Sequence, residues 1–402
     1  MRGRWLSRGI DPRLASMLLA LVIIWIGLQV LTDGIFLSPR NLYNLSMQAS
    51  AVAIMSCGMV FVIVARQIDL SVGSLLAFTG VLTAYAQVHW LEAYPESGWI
   101  WSILVGVGVG AVVGLFQGWW VAYRSIPAFV VTLAGFLMYR GAAYLVAEGQ
   151  TIAPLDETYQ RLGGGADGSI GVPASWVLCV LACVWVIWYV WNTRREKAKY
   201  GSRPEAGWLD VTKIVVGCAA IIAFVATMAS YPNRAHADET GNAPGMGIGV
   251  PVLILIIVVS LLTFLANRTR FGRYVFAYGG NPEAAVLAGI NTRRLLLLIF
   301  VLMGVLSALA AVIVTARLNA GTNSLGQLAE LYVIAAAVIG GTSLAGGLGS
   351  VPGAVVGALI IQSLDNGMVL LDVSSAKRQI IIGLVLIGAV WLDVVYTKRQ
   401  TT

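Results

Sequence analysis

Ionisable and amide side chains are scarce in the apolar stretches of this 402-residue chain, and these few residues could do polar chemistry there. A carboxylate inside an apolar segment is costly unless it meets a polar partner, so it marks a solute path, an ion site or an internal pair. Arg140 also lies within an apolar run, and the sequence assigns it no partner. The candidate pathway or gate residues are Gln67, Asp69, Ser71, Gln362, Asp365 and Asn366.

Catalytic and metal chemistry find little support in the sequence. The two histidines, His89 and His236, lie in polar segments between apolar runs, and no carboxylates cluster beside them. Cys179 and Cys183 share a helical face, but two thiols alone make a poor metal site. No Gly-Lys pair occurs, so the glycine-rich loop that cradles nucleotide phosphates is missing. We therefore expect no catalytic residue, no metal site and no cofactor site in this chain.

Composition defines the class of protein. The chain is 58% hydrophobic and only 11% charged, with a mean hydropathy of +0.82, whereas soluble domains have about 25% charged residues. Several apolar runs reach the length that crosses a bilayer. The prediction is an all-α, polytopic integral membrane protein that lies in a lipid bilayer. The apolar runs are 14–31, 46–65, 73–88, 99–122, 126–147, 174–191, 214–229, 250–266, 295–316, 328–341, 351–371 and 379–395.

The distribution of basic residues predicts the orientation. Of the 26 Lys and Arg residues, 19 fall on one side of the alternating segments and six on the other. The side rich in Lys and Arg is cytoplasmic in most membrane proteins, so both chain ends are expected there. The net charge of +7 reflects this bias, and no nucleic-acid partner is expected.

Two stretches interrupt the apolar runs. Residues 66–74 and 340–350 both follow an apolar run and end in Gly-Ser, which suggests a faint internal repeat. Non-helical backbone at membrane depth must be buried in protein or line a wet cavity. The runs 73–88 and 328–341 are short, so broken or re-entrant helices are one reading of these regions, and plain turns between helices are the other.

Glycines recur with period four in the fourth run. Gly106, Gly110, Gly114 and Gly118 would line one helical face, where small residues let two backbones approach closely in lipid. This face could pack within one subunit, or it could form a dimer seam or sliding interface.

A miniature helix is predicted between two apolar runs. Asn281 is a good N-cap, Pro282 suits the first helical position, and Glu283 in the first turn complements the helix dipole. Gly289 falls where a left-handed residue ends a helix. So short a helix is unstable alone, and its mostly alanine face would anchor poorly in lipid. We therefore expect it to dock in the groove of a partner.

Several motifs resemble a known family. "MVFVIVARQIDLSVGSLLA", "NRTRFGRYVFAYGGNPEAAVLAGIN" and "VIGGTSLAGGLGSVPGAVVGALI" are similar to the membrane subunits of bacterial ABC importers for ribose, xylose and galactose. "GWWVAYRSIPAFVVTLAGFLMYRG" and "SLDNGM" fit the same group. The resemblance runs from about residue 38 to 395. The apolar pair near 174–229 is typical of the xylose type and absent from shorter ribose subunits.

The resemblance implies a permease with about ten core transmembrane helices plus an extra helix pair. Residues 1–402 would form one domain, with N-terminal helices at 14–147, the extra pair at 174–229, C-terminal helices at 250–395 and a cytoplasmic loop at 267–294. In this family a short cytoplasmic helix docks on the ATPase. The implied ATPase-coupling residues are Gly280, Asn281, Pro282, Glu283, Ala284, Ala285 and Gly289.

The implied function is import of a monosaccharide, D-xylose in the nearest type, from periplasm to cytoplasm by alternating access. The implied partners are an ABC ATPase that binds ATP and Mg²⁺, a periplasmic sugar-binding protein and a second permease copy in a homodimer. The location would be the bacterial inner membrane. The alternative is an ion-gradient-driven secondary sugar transporter, for which Asp69 and Asp365 are the sparse candidates for ion coupling.

Overall fold

The computed structural model describes residues 12–94, 96–199, 207–240 and 242–401. Across these ranges the secondary structure is helical, with isolated β-bridges in the loops and no β-strand. Nine helices in the described ranges are long and apolar enough to cross a membrane. The predicted all-α, polytopic membrane fold is confirmed. Arg2, Arg4, Arg8 and Arg203, which contribute to the predicted orientation, lie outside the described residues.

Each of the twelve apolar runs corresponds to a helix, and three short helices lie between them. In chain order the helices are α1 Pro12–Leu31, α2 Pro39–Val64, α3 Val72–Tyr85, α4 Gly98–Arg124, α5 Ala128–Ala147, α6 Glu157–Gln160, α7 Gly171–Lys199, α8 Gly207–Ser230, α9 Val250–Arg268, α10 Arg270–Gly280, α11 Pro282–Leu287, α12 Thr292–Leu318, α13 Ala329–Ile339, α14 Val351–Leu370 and α15 Ser375–Thr401.

Helices α2 and α12 form the centre of the molecule. Helix α2 is apolar on all sides and almost wholly buried, as expected for a helix without a solvent or lipid face. It packs against α9, α12, α13 and α14, while α12 also packs against α3 and α4. The apolar outer faces of the more exposed helices suit contact with lipid; these helices are α1, α4, α5, α7, α8 and α9.

The glycine face of α4 packs inside the chain. A Cβ atom at Gly110 would lie 2.5 Å from the Gly304 carbonyl oxygen of α12, and one at Gly114 would lie 2.8 Å from the Val301 Cα. Only glycine permits this distance between two backbones. The hypothesis that these glycines form a dimer seam is therefore wrong, because α3 at Gly106 and α12 at the other three glycines occupy their face within the same chain.

Helices α3 and α13 begin inside the bundle, after non-helical segments. Residues 65–71 separate α2 from α3, and residues 319–328 separate α12 from α13. Arg66 and Asn319 both adopt a left-handed φ, at +60° and +52°, just after the end of a central helix. The backbones at Gly73 and Gly326 then pack directly on each other. The two short helices α3 and α13 therefore start close to each other and end at opposite ends of the bundle.

The two stretches of the suggested repeat have different surroundings. The 66–74 stretch leads from α2 into α3 and meets the 319–328 segment, where Gly73 packs on Gly326. The 340–350 stretch is a loop that ends α13 and leads to α14, with left-handed glycines at 341, 346 and 347. The suggested repeat stays a prediction.

The predicted extra pair corresponds to α7 and α8. These helices pack on each other, and α8 also contacts α2. A small separate core joins them to the N-terminal end of α2, where Tyr43 and Met47 meet Cys179, Val225 and Met228. The pair is therefore attached to the side of the bundle and contributes nothing to the contact between α2 and α12.

Candidate functional site

The predicted miniature helix is present as α11. The Asn281 Oδ1 accepts a hydrogen bond from the Ala284 N–H at 3.0 Å, and Pro282 occupies the first helical position. Gly289 has a φ of +79° and ends the turn, with the Ile290 N–H bonded to the Ala285 carbonyl at 3.1 Å. The start and stop signals in the sequence thus act locally as expected.

A second short helix, α10, precedes α11 and was not predicted. Thr269 caps it, since its Oγ1 accepts from the Gly272 N–H at 3.3 Å. Its buried positions, Gly272, Val275 and Gly279, recur at intervals of three and four, so one face packs against the bundle. This amphipathic spacing is the signal that could have found it. We call residues 269–291 the α10–α11 segment.

Helix α11 presents apolar side chains outward. Leu287 is 88% exposed and Val286 is 57% exposed, while Ala285 is buried against the segment itself. Large apolar side chains are rarely left so exposed without a partner or a lipid contact. Exposed arginines flank this small patch on the predicted cytoplasmic side, at positions 268, 270, 273, 293 and 294.

Arg66 fixes the α10–α11 segment to the end of α2. Its Nε donates to the Gly279 carbonyl at 2.6 Å and its Nη2 donates to the Gly280 carbonyl at 2.9 Å. Burial raises the pKa of the neighbouring Tyr278, and the Arg66 charge opposes that rise. Sequence reasoning missed this role of Arg66, because 213 residues separate it from its partner.

The first group of predicted pathway residues lies at the break before α3. The Asp69 Oδ1 accepts from the Ser71 N–H at 2.8 Å and from the Ser71 hydroxyl at 2.6 Å. Gln117 of α4 donates to the Ser71 Oγ at 2.8 Å, and the buried hydroxyl of Tyr139 lies in the same neighbourhood without a partner. Asp69 and Ser71 are buried, whereas Gln67 is half-buried. These polar groups hold the non-helical backbone in place.

Arg140 donates hydrogen bonds to the backbone of the second break, residues 319–328. Its Nη1 donates to the carbonyls of Asn323 and Leu325 at 2.7 Å each, and its Nη2 reaches the Gly326 carbonyl at 3.4 Å. Non-helical carbonyls at this depth need such donors because lipid provides none. Glu330 lies buried at the start of α13, with one carboxylate oxygen unpartnered.

The second predicted group lies at the opposite end of α2. Asp365 forms an ion pair with Arg378 of α15 at 3.0 Å, and the Asn366 Oδ1 accepts from the Asn41 Nδ2 at 2.9 Å. Gln362 is buried on the same helix. The structure therefore does not bring the two groups together, and Asp365 and Asn366 serve contacts between helices.

No cluster of three or more His, Cys, Asp or Glu residues that could hold a metal ion occurs in the described part of the chain. The four cysteines are unpaired. The arrangement combines an exposed apolar patch on α11 with two polar breaks among the spans, and broken helices are typical of transport proteins.

Comparison with known sequences identifies the family. The family described as "Branched-chain amino acid transport system / permease component" matches residues 41–196 and 212–390. The chain belongs to this permease family. The match covers the helices from α2 to α15 on both sides of the gap between α7 and α8, so the permease assignment applies to the whole bundle.

The relatives of this permease align over nearly their full length. The xylose transport system permease protein of Haemophilus influenzae is 40% identical over 397 residues, covering 98% of this chain and 99% of that protein. Its Escherichia coli K12 counterpart is 39% identical over 400 residues, with 98% and 94% covered. The ribose import permease protein of E. coli K12 is 30% identical over 383 residues, with 95% and 93% covered. No solved structure matches the permease.

Proposed function

We propose that this chain is the permease subunit of an ATP-driven ABC importer that moves D-xylose from periplasm to cytoplasm. One observation carries the sugar assignment: identity to the xylose permeases is 39–40%, against 30% to the ribose permease, over similar lengths. The same relatives lend no support to the alternative of a secondary transporter driven by an ion gradient.

A separate ATPase subunit would supply the energy. It would bind ATP and Mg²⁺, and the exposed face of α11 would insert into a groove on its surface. Leu287 and Val286 would provide buried apolar area in that groove, while the flanking arginines would pair with acidic groups at its rim. Burial in a partner explains why a helix of six residues carries its own cap and its own terminator.

Transport would follow alternating access. Two copies of the chain would form the pathway in the inner membrane, with both termini in the cytoplasm and a periplasmic sugar-binding protein on the outer face. ATP binding would move the α10–α11 segment, and the breaks at 65–71 and 319–328 would let α3 and α13 shift against the central helices. Because the binding protein hands over the sugar, the pathway needs few polar contacts of its own.

Uptake measurement tests the proposal directly. The gene would be returned to a deletion strain of its own host, and uptake of labelled xylose and labelled ribose would be measured with and without a protonophore. We expect xylose uptake that depends on ATP, persists when the proton gradient is collapsed and exceeds ribose uptake. Uptake that stops with the gradient while ATP remains high would contradict the proposal, and preference for ribose would contradict the sugar assignment alone.

A further inference from the structure

The turn that ends α2 places an arginine where glycine is usual. Arg66 has a φ of +60°, in the left-handed region that a Cβ atom disfavours. Two backbone hydrogen bonds complete the turn, from the Arg66 N–H to the Ile63 carbonyl at 2.8 Å and from the Gln67 N–H to the Val62 carbonyl at 3.0 Å. The turn itself needs no guanidinium, so the side chain has another purpose.

The Arg66 side chain binds the end of α10. Both carbonyls that accept from Arg66 belong to Gly279 and Gly280, in the last turn of the helix. Carbonyls at a helix C-terminus lack partners within the helix and carry partial negative charge, so a cation bound there is favourable. The guanidinium makes these two bonds in a fixed fork, which a flexible ammonium group cannot reproduce.

Backbone packing makes the same junction stiff. A Cβ atom at Gly279 would overlap the Val64 carbonyl oxygen of α2 and would lie 2.6 Å from the Gly347 nitrogen. The Gly347 N–H in turn donates to the Val64 carbonyl at 3.0 Å. The ends of α2 and α10 and the loop after α13 are therefore in direct contact, with no side chain between them to absorb movement.

Arg66 also lies at the start of the break that leads to α3. Residues 67–71 are non-helical, and Asp69, Ser71 and Gln117 are joined by hydrogen bonds there. A displacement of the α10–α11 segment would thus reach, through Arg66, a stretch of backbone that is not held in a helix.

We propose that Arg66 is the positioning residue through which the α10–α11 segment moves the break before α3. This inference rests on the proposed function, because it takes α11 as the surface on which the ATPase docks. Arg66 would thus pass the movement of the ATPase on to the spans, and it would have no part in the docking of the ATPase on α11.

The test separates the side chain from the backbone turn. Arg66→Gly keeps and even relieves the left-handed turn but removes the guanidinium, and Arg66→Lys keeps the charge without the fork. Arg124→Gln is the matched control, since Arg124 is an exposed arginine that ends α4 and lies over the Trp119 ring. Each permease is reconstituted in liposomes with its ATPase and sugar-loaded binding protein. ATPase binding, thermal stability, ATP hydrolysis and sugar transport are all measured.

We expect Arg66→Gly to bind the ATPase as wild type does and to unfold at a somewhat lower temperature, since relief of the left-handed turn offsets only part of the two lost hydrogen bonds. It should transport about tenfold less sugar per ATP hydrolysed, because the α10–α11 segment no longer holds the break before α3. Arg66→Lys should regain part of that ratio, and Arg124→Gln should match wild type. A wild-type ratio in Arg66→Gly, or a loss that follows its stability alone, would overturn the inference while leaving the proposed function intact. A wild-type complex without sugar-stimulated ATP hydrolysis would overturn the proposed function, and this inference with it.

Discussion

Truncation of Leu287 offers the sharpest test of the docking surface. In the free permease this side chain is 88% exposed, so Leu287→Ala removes almost no internal contact and should leave unfolding unchanged. If the ATPase buries it, the loss of three carbon atoms at about 0.8 kcal/mol each amounts to about 2.4 kcal/mol. Scaled by the exposed fraction, the loss is about 2 kcal/mol, which corresponds to about 30-fold in the dissociation constant.

The assay is titration of the purified ATPase onto permease held in lipid nanodiscs. Leu318→Ala provides the matched control. Leu318 is 53% exposed and ends α12, so it lies a whole helix away from α11, on the predicted outer side. We expect weaker binding for Leu287→Ala and unchanged binding for Leu318→Ala, with equal thermal stability in both. Equal affinity in the two variants would refute the docking assignment, and a loss of stability in Leu287→Ala would show that the side chain has an internal role.

Three further changes test the packing beneath these surfaces. Gly110→Ala should destabilise by about 1–3 kcal/mol because its Cβ would lie 2.5 Å from a carbonyl oxygen of α12, whereas Gly108→Ala, with open space around it, should be neutral or stabilising in thermal unfolding. Asp365→Asn leaves the partly buried Arg378 without its carboxylate, so proteolysis of α15 should accelerate. The double variant Asp365→Arg with Arg378→Asp exchanges the two charges and should restore resistance to the protease. Asn281→Ala should weaken ATPase binding several-fold by loosening α11, whereas Asn281→Asp, which can still cap, should not; equal effects would exclude the cap as the cause.

The local features of α11 follow from sequence. Asn281, Pro282 and Gly289 act through their own backbone and through neighbours within one turn, so their types and spacing suffice to predict α11. The same is true of the membrane class, because the length and apolarity of each run determine whether it can cross a bilayer. The glycines of α4 were recognised as a packing face by their period alone, although their partner was not.

Contacts between residues far apart in the chain could not be predicted from the sequence. Asp69 and Asp365 looked alike as polar residues in apolar surroundings, yet one holds the break before α3 and the other pairs with Arg378. The likeness of 66–74 to 340–350 likewise gave no sign that Gly73, in the first stretch, packs on Gly326 in the 319–328 segment.

Sequence by itself determined the membrane class, the approximate spans and the cap and terminator of α11, because these depend on composition and on neighbours along the chain. Tertiary structure alone decided that Arg66 holds the carbonyls of Gly279 and Gly280, and that α4 uses its glycines against α12. The physical reason is that a hydrogen bond or a backbone contact between remote residues depends on how the helices pack, which no local spacing encodes.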